Sequence, residues 1–425
     1  MLSTAIRDIK ARQVLDFKSK PSLEVDILTE GGALGRASSP SGVTVGEHEV
    51  FVLRDGDKNH YDGAGVLKAV EAARDIIAPA LIGVDVFDQK KIDRIMIDLD
   101  GTANKSKLGG NTIFSVSLAC ARAAAATLGM PLYQYLAKDH KITSIALPSF
   151  GYFFGGSYQK ETMPFQEITM IAYKVKSVAE AVEIGVNVMW ELHRTLRKKT
   201  GSDPVLGSLA GWVAPTADPA ECFDMVYEAA ARVGAKDKIG FHIDCASSEN
   251  YIEERGTYDF VNREITSDEM IAYVKKLTEK YNFLYIEDIL DQNDWDGWKK
   301  ASREITRAIL IGDDFIATNR GRLKRAYEEK AAMGFIFKPN QAGTMTESME
   351  TFEYASEHGM IAIPSPRAGG VLEDVVFDLA IGLGCPSVKQ ALPRSTCVYG
   401  TNYLLRAADL FPHAKPFDMS GIAKF

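Results

Sequence analysis

Five short apolar runs in the later part of this chain each end in a charged or metal-ligand type of side chain, and this pattern limits the fold more than any other feature. The runs are Phe241-His242-Ile243-Asp244, Phe283-Leu284-Tyr285-Ile286-Glu287-Asp288, Ile309-Leu310-Ile311-Gly312-Asp313-Asp314, Phe335-Ile336-Phe337-Lys338, and Met360-Ile361-Ala362-Ile363 leading to Arg367. Glu287 to Asp313 is 26 residues, Asp313 to Lys338 is 25, and Lys338 to Arg367 is 29. Each interval matches one strand followed by one helix, so successive strands would bring these side chains to one end of an α/β barrel of the (β/α)8 kind.

The barrel pattern begins after Asp139-His140-Lys141, and the chain ahead of it reads differently. Residues 4 to 29 alternate apolar and polar in short runs, and 50 to 54 repeat the pattern, which predicts a small antiparallel sheet with one wet face. Helical spacing follows over Val66 to Leu81 and again over Asn111 to Leu136. The expected organisation is therefore α/β overall: an α+β domain over residues 1–140, then a barrel over 141–425. Within the barrel region Asp218-Pro219 with Glu221 opens a helix that closes at Gly234, and Thr266 with Glu269 forms a capping box.

Composition narrows the partners. Lys plus Arg is 49 against Asp plus Glu at 57, a net charge of −8, which argues against a nucleic-acid footprint built on net basicity. Five widely spaced cysteines contain no C-x-x-C pair, so neither a disulfide framework nor a thiolate zinc site is expected. Charged residues break up the first thirty positions and every apolar run of membrane length, so a cytoplasmic protein acting on a small molecule is expected.

Asp244, Glu287 and Asp313 supply hard oxygen ligands in a setting free of competing thiolates, which suits Mg²⁺ with positions left for water and substrate. Any one of these acids alone would equally suit a helix cap; three in successive frames point to a metal. Lys338 closes an otherwise apolar strand. Burial and a neighbouring cation such as Lys389 are expected to lower its pKa and make it a base, the alternative being a structural ion pair with one of the acids. A base beside a divalent cation suits removal of a proton next to a carboxylate.

These stretches, with Leu99-Asp100-Gly101-Thr102-Ala103-Asn104-Lys105-Ser106-Lys107-Leu108-Gly109, Ile243-Asp244-Cys245-Ala246-Ser247-Ser248-Glu249 and Lys338 with Asn340-Gln341, resemble the enolase family over nearly the whole chain. The resemblance implies an N-terminal α+β domain on a modified barrel, a homodimer or higher homo-oligomer, and Mg²⁺ held by Asp244, Glu287 and Asp313. It implies that Lys338 is the base, that Lys389 holds the substrate carboxylate, that Arg367 binds phosphate, and that Gln166 and Glu167 support the catalytic acid.

The remainder of the enolase pattern is altered. Gly207-Ser208-Leu209-Ala210-Gly211 places Leu209 where the family has its acid; Tyr158 stands for the histidine of a Gly-Gly-Ser-His loop; and Pro366-Arg367-Ala368 replaces His-Arg-Ser. Thr44, in Pro40-Ser41-Gly42-Val43-Thr44-Val45-Gly46, falls where a serine binds a second Mg²⁺, so a second metal is an open alternative. A leucine donates no proton. The expectation is an Mg²⁺-dependent, enolate-stabilising enzyme for a phosphoenolpyruvate- or 2-phosphoglycerate-like ligand, turned from dehydration to a reaction similar to that of carboxyphosphonoenolpyruvate synthase in phosphonate antibiotic biosynthesis. The alternatives are a divergent phosphopyruvate hydratase of glycolysis and a non-catalytic binding protein of the same fold.

Overall fold

The computed structural model describes residues 3–42, 46–156, 162–207, 210–261 and 263–425. Thr44, Tyr158 and Leu209 therefore lie outside the described residues. The chain opens with three antiparallel strands, β1 (Ile6–Leu15), β2 (Pro21–Thr29) and β3 (Leu34–Ser38), in the order β1-β2-β3. Leu23, Val25 and Ile27 of β2 are fully buried, so the alternation seen in the sequence is the inner face of this sheet. The helix Gly110–Thr127 packs across it, and its many alanines allow a close approach. Gly35 sets the limit of that approach: a Cβ there would stand 2.0 Å from the carbonyl oxygen of Ala119.

Two sequence expectations for this region need correction. Residues 50–54 form no strand. Their backbone is spent elsewhere: Val50 N–H donates to the Gln341 carbonyl, Phe51 N–H to that of Asn104, and Leu53 N–H to the Asn111 side chain. The helical stretch from Asn111 to Leu136 is two helices, Gly110–Thr127 and Leu132–Ala137, because Gly129 takes a positive φ and Pro131 cannot continue a helix. A further helix, Gln89–Asp100, had no counterpart in the sequence reading.

Eight strands then surround a second core: β4 (Leu147–Phe154), β5 (Glu167–Ala172), β6 (Ile239–Asp244), β7 (Phe283–Glu287), β8 (Ile309–Ile311), β9 (Gly334–Phe337), β10 (Ile361–Pro364) and β11 (Ser387–Gln390). β5 runs antiparallel to both β4 and β6, whereas β6-β7, β7-β8, β9-β10 and β11-β4 are parallel. A parallel bridge from Gly312 to Phe335 joins β8 to β9, and β10 packs on β11 to complete the ring. The helix Pro219–Arg232 begins on the Asp218 cap, and Ser267–Lys280 carries the capping box of Thr266 with Glu269, as the sequence predicts. No helix among the described residues is long and apolar enough to cross a membrane.

The two parts are joined by polar contacts as well as packing. Asp93 accepts from the backbone N–H and the hydroxyl of Thr346, at 2.9 and 2.6 Å, in the first turn of the helix Met345–Glu357. Lys105 pairs with Glu347 on that helix at 3.0 Å.

Candidate active site

Register builds the site. Glu167 at the start of β5 is the direct partner of Asp244 at the end of β6, and Asp244 is the partner of Glu287 at the end of β7. Side chains at directly paired positions share one face of a sheet, so the three carboxylates form a row on the barrel's inner rim. Gly151 on β4 makes room for the first of them. A Cβ at that position would stand 2.1 Å from Glu167 Oε1.

Lys389, on β11 across the barrel, sends its ammonium into this row. Its Nζ lies 2.8 Å from Asp244 Oδ2, 2.8 Å from Glu287 Oε2 and 3.0 Å from Glu167 Oε2. Gln166 Nε2 donates to Asp244 Oδ2 at 2.9 Å, and His242 Nε2 lies 2.7 Å from Glu287 Oε2. Lys338, just past the end of β9, donates to Asp313 Oδ2, while Gln341 Nε2 donates to Asp313 Oδ1 at 3.0 Å. Asp313 is positioned from behind by Asp288, whose carboxylate accepts the backbone N–H groups of Asp313 and Asp314 at 2.8 Å each. The rim opens into a cavity of about 300 Å³ that Gln166, Glu167, Asp244, Asp313, Lys338 and Lys389 line.

Arg367 also lines this cavity, but its guanidinium is held by a carboxylate from the other part of the chain. Glu49 receives Nη1 at 2.7 Å and Nη2 at 3.0 Å, a fork that fixes the arginine's orientation. Glu49 Oε1 also accepts from Gly46 N–H at 3.0 Å. Ala368 follows at the cavity wall.

Burial dominates the protonation of the row. It raises the Asp244 carboxyl to about 7, aided by the charge of Glu287 and opposed by Lys389. Burial likewise raises Glu167 and Glu287. Lys389 is pulled down by burial but pushed well above the ordinary lysine value by Asp244, Glu167 and Glu287 together. For Lys338 the expected lowering is corrected: burial acts downward most strongly, but the acids around it, Asp313 first and then Glu287, together prevail and the pKa is raised. Asp313 is held below its ordinary value because Lys338 overcomes the upward push of burial.

Among the described residues, no group of three or more His, Cys, Asp or Glu is arranged to hold a metal ion as the side chains stand. The physical reason is that Lys389 and Lys338 occupy the space between the acids. The donor set nonetheless fits Mg²⁺. Asp244, Glu287 and Asp313 are all-oxygen and buried, and Glu287 Oε1 is a buried oxygen with no partner.

A family model described as the N-terminal domain of enolase matches residues 6–136, and a second, described as the C-terminal TIM barrel domain of enolase, matches 142–421. The chain belongs to the enolase family. Enolases typically use Mg²⁺ and take small phosphorylated substrates, so this family member is read as an enzyme of the lyase kind.

Relative to this enolase fold, three features escaped sequence reasoning. His242, which in the sequence is only part of an apolar run, is a buried hydrogen-bond partner of Glu287; its place two residues before Asp244, on the same strand face, is the available signal. Asp288 acts through the backbone of the neighbouring loop, which no spacing reveals. Glu49 lies 318 residues from Arg367, and nothing local marks it.

Proposed function

We propose that this enolase-family chain is an Mg²⁺-dependent enzyme that stabilises the enolate of a phosphoenolpyruvate- or 2-phosphoglycerate-like ligand, turned from dehydration to a reaction of the carboxyphosphonoenolpyruvate synthase kind. One observation carries the reading: Lys338 and Lys389 meet the buried carboxylates Glu167, Asp244 and Asp313 on the wall of a single cavity. Asp244, Glu287 and Asp313 would hold the cation, with Thr44 as the candidate ligand of a second. When bound, Mg²⁺ supplies positive charge against an enolate's developing negative charge.

The chain's own residues divide the remaining work. Lys389 Nζ, shared here among three carboxylates, would hold a substrate carboxylate. Lys338 Nζ would be the proton acceptor once Asp313 is engaged elsewhere, because Asp313 is the foremost of the acids that keep its pKa high. Arg367 would take a phosphate or phosphonate, with Ala368 on the same cavity wall and Gln166 orienting Asp244; Tyr158 and Leu209, outside the described residues, are proposed as substrate contacts from the sequence alone. Glu167 supports Lys389. Leu209, in the position of the enolase acid, cannot protonate a departing hydroxide, and loss of such a group costs about 10²–10⁴ in rate. A reaction that expels no hydroxide does not need it.

A second reading, a divergent phosphopyruvate hydratase, draws on Glu167. Its carboxyl is buried and its pKa raised, as a replacement acid requires. Dehydration of 2-phosphoglycerate, followed by the ultraviolet absorbance of phosphoenolpyruvate, separates the two. The expected result is turnover at least about 10² below an ordinary enolase; turnover at full enolase speed overturns the first reading. Mg²⁺ with phosphoenolpyruvate should raise the melting temperature, and no rise would favour a non-catalytic binding protein. We also propose a homodimer or higher homo-oligomer in the cytoplasm, which sedimentation and fractionation would test.

A further inference from the structure

The mouth cavity extends beyond the charged rim. Lys389 and Gln390 are consecutive on β11, so their side chains leave opposite faces of the strand, yet both line the cavity. Lys389 turns inward to the carboxylate row. Gln390 turns toward the last long helix, Val398–Leu410, where the Thr401 hydroxyl lies 2.9 Å from Gln390 Oε1. Gln390 is only 3% exposed, and its Nε2 has no hydrogen-bond partner. Whichever way the amide is turned, Thr401 serves one end and leaves the other unmet.

A second unmet group lines the same cavity. Asp374 is 6% exposed; its Oδ1 accepts from Val376 N–H at 3.3 Å, and its Oδ2 has no partner. Phe377 and Tyr399 line the same cavity, ring centroids 6.0 Å apart and edge to face. Gly400 permits the Phe377 position, since a Cβ there would stand 2.0 Å from the ring carbon Cζ. Buried donors and acceptors are nearly always paired, so two that are unpaired on one cavity wall call for a ligand with matching groups.

We propose that Gln390 and Asp374 form a second lobe of the mouth cavity that takes an uncharged, carboxamide-like group with one hydrogen-bond acceptor and one donor on an apolar body. It deepens the functional reading above, on which it rests for its role, by assigning where a longer or second substrate is held. Gln390 N–H would meet the acceptor, Asp374 Oδ2 the donor, and the two rings the apolar body. A carboxylate or phosphate in the lobe would face the like charge of Asp374, and an ammonium would set donor against donor at Gln390.

Cys397 provides the readout, because it lines the cavity and is half-buried while the other four cysteines are buried. In the full-length protein, benzamide should slow the reaction of Cys397 with methyl methanethiosulfonate in a saturable way. Benzoate should be about tenfold weaker, and Gln390→Met should weaken benzamide about tenfold through the lost hydrogen bond. Asp374→Asn should narrow the gap between benzamide and benzoate. Failure of benzamide to protect, or equal protection by benzoate or in a folded Gln390→Met variant, overturns the lobe. Melting with Mg²⁺ and phosphoenolpyruvate is measured on the same proteins. Benzamide protection without that shift refutes the functional reading alone; the shift without protection refutes the lobe alone.

Discussion

Lys389→Met removes the one cation that three buried carboxylates share. The methionine fills a similar volume, so the perturbation is electrostatic: Asp244, Glu287 and Glu167 each lose an ammonium at 3.0 Å or less. Breaking a buried ion pair from one side costs about 3–5 kcal/mol. With an unfolding entropy of roughly 2.1 cal/mol/K per residue over the whole chain, this lowers the melting temperature by roughly 3–6 °C. The acids can escape part of the cost by taking up protons. Asp244 already titrates at about 7, and removing Lys389 pushes it higher. A carboxyl whose folded-state pKa is raised gives stability that is complete below its unfolded value and lost as pH rises through the folded one. The deficit of the variant should therefore be small near the ordinary aspartate value of about 4 and grow as the pH approaches and passes neutrality. Mg²⁺ should restore more stability to the variant than it adds to the wild type, since at Asp244 and Glu287 it no longer competes with the Lys389 ammonium. Differential scanning calorimetry at several pH values, with and without Mg²⁺, reads all of this. A variant that melts with the wild type at pH 8, or gains no more than wild type from Mg²⁺, refutes the shared-cation argument.

Two other perturbations address the anion site and the N-terminal sheet. Glu49→Gln removes the carboxylate fork on Arg367, so inorganic phosphate should bind several-fold more tightly, as titration calorimetry would show; unchanged or weaker binding would deny that Glu49 competes with an oxyanion. Burial pushes Asp26 upward, but hydrogen bonds from Arg36 and Arg12 prevail and hold it at about 2. Its contribution is present above the ordinary aspartate pKa and lost as pH falls toward 2, so Asp26→Asn should flatten acid unfolding followed by circular dichroism between about pH 4 and 2.

The sequence was most legible where periodicity and spacing act together. Apolar runs of strand length, 25 to 29 residues apart and ending in Glu287, Asp313, Lys338 and Arg367, fix both the barrel and the rim, because strand ends in a barrel have only one place to go. The lowered pKa expected for Lys338 failed because spacing names a neighbouring strand but not the direction of a carboxylate on it; Asp313 turns toward the lysine. Residues 50–54 carry a strand's alternation, yet their N–H groups find Gln341, Asn104 and Asn111 instead of a partner strand. Glu49 was invisible for the same reason: it is defined by a contact 318 residues along the chain.

The reversal of β5 reaches beyond strand order. In a uniformly parallel barrel the chain between the first two strands must descend past the staves to the floor before it can begin again. Here β4 ends and β5 starts at the same brim, Phe154 directly opposite Glu167. The chain therefore leaves β4 and enters β5 at one end of the barrel, and Gln166, the last residue before β5, enters the site by donating to Asp244. A change to what joins these two strands would thus act on the mouth directly, provided Gln166 keeps its hold on Asp244.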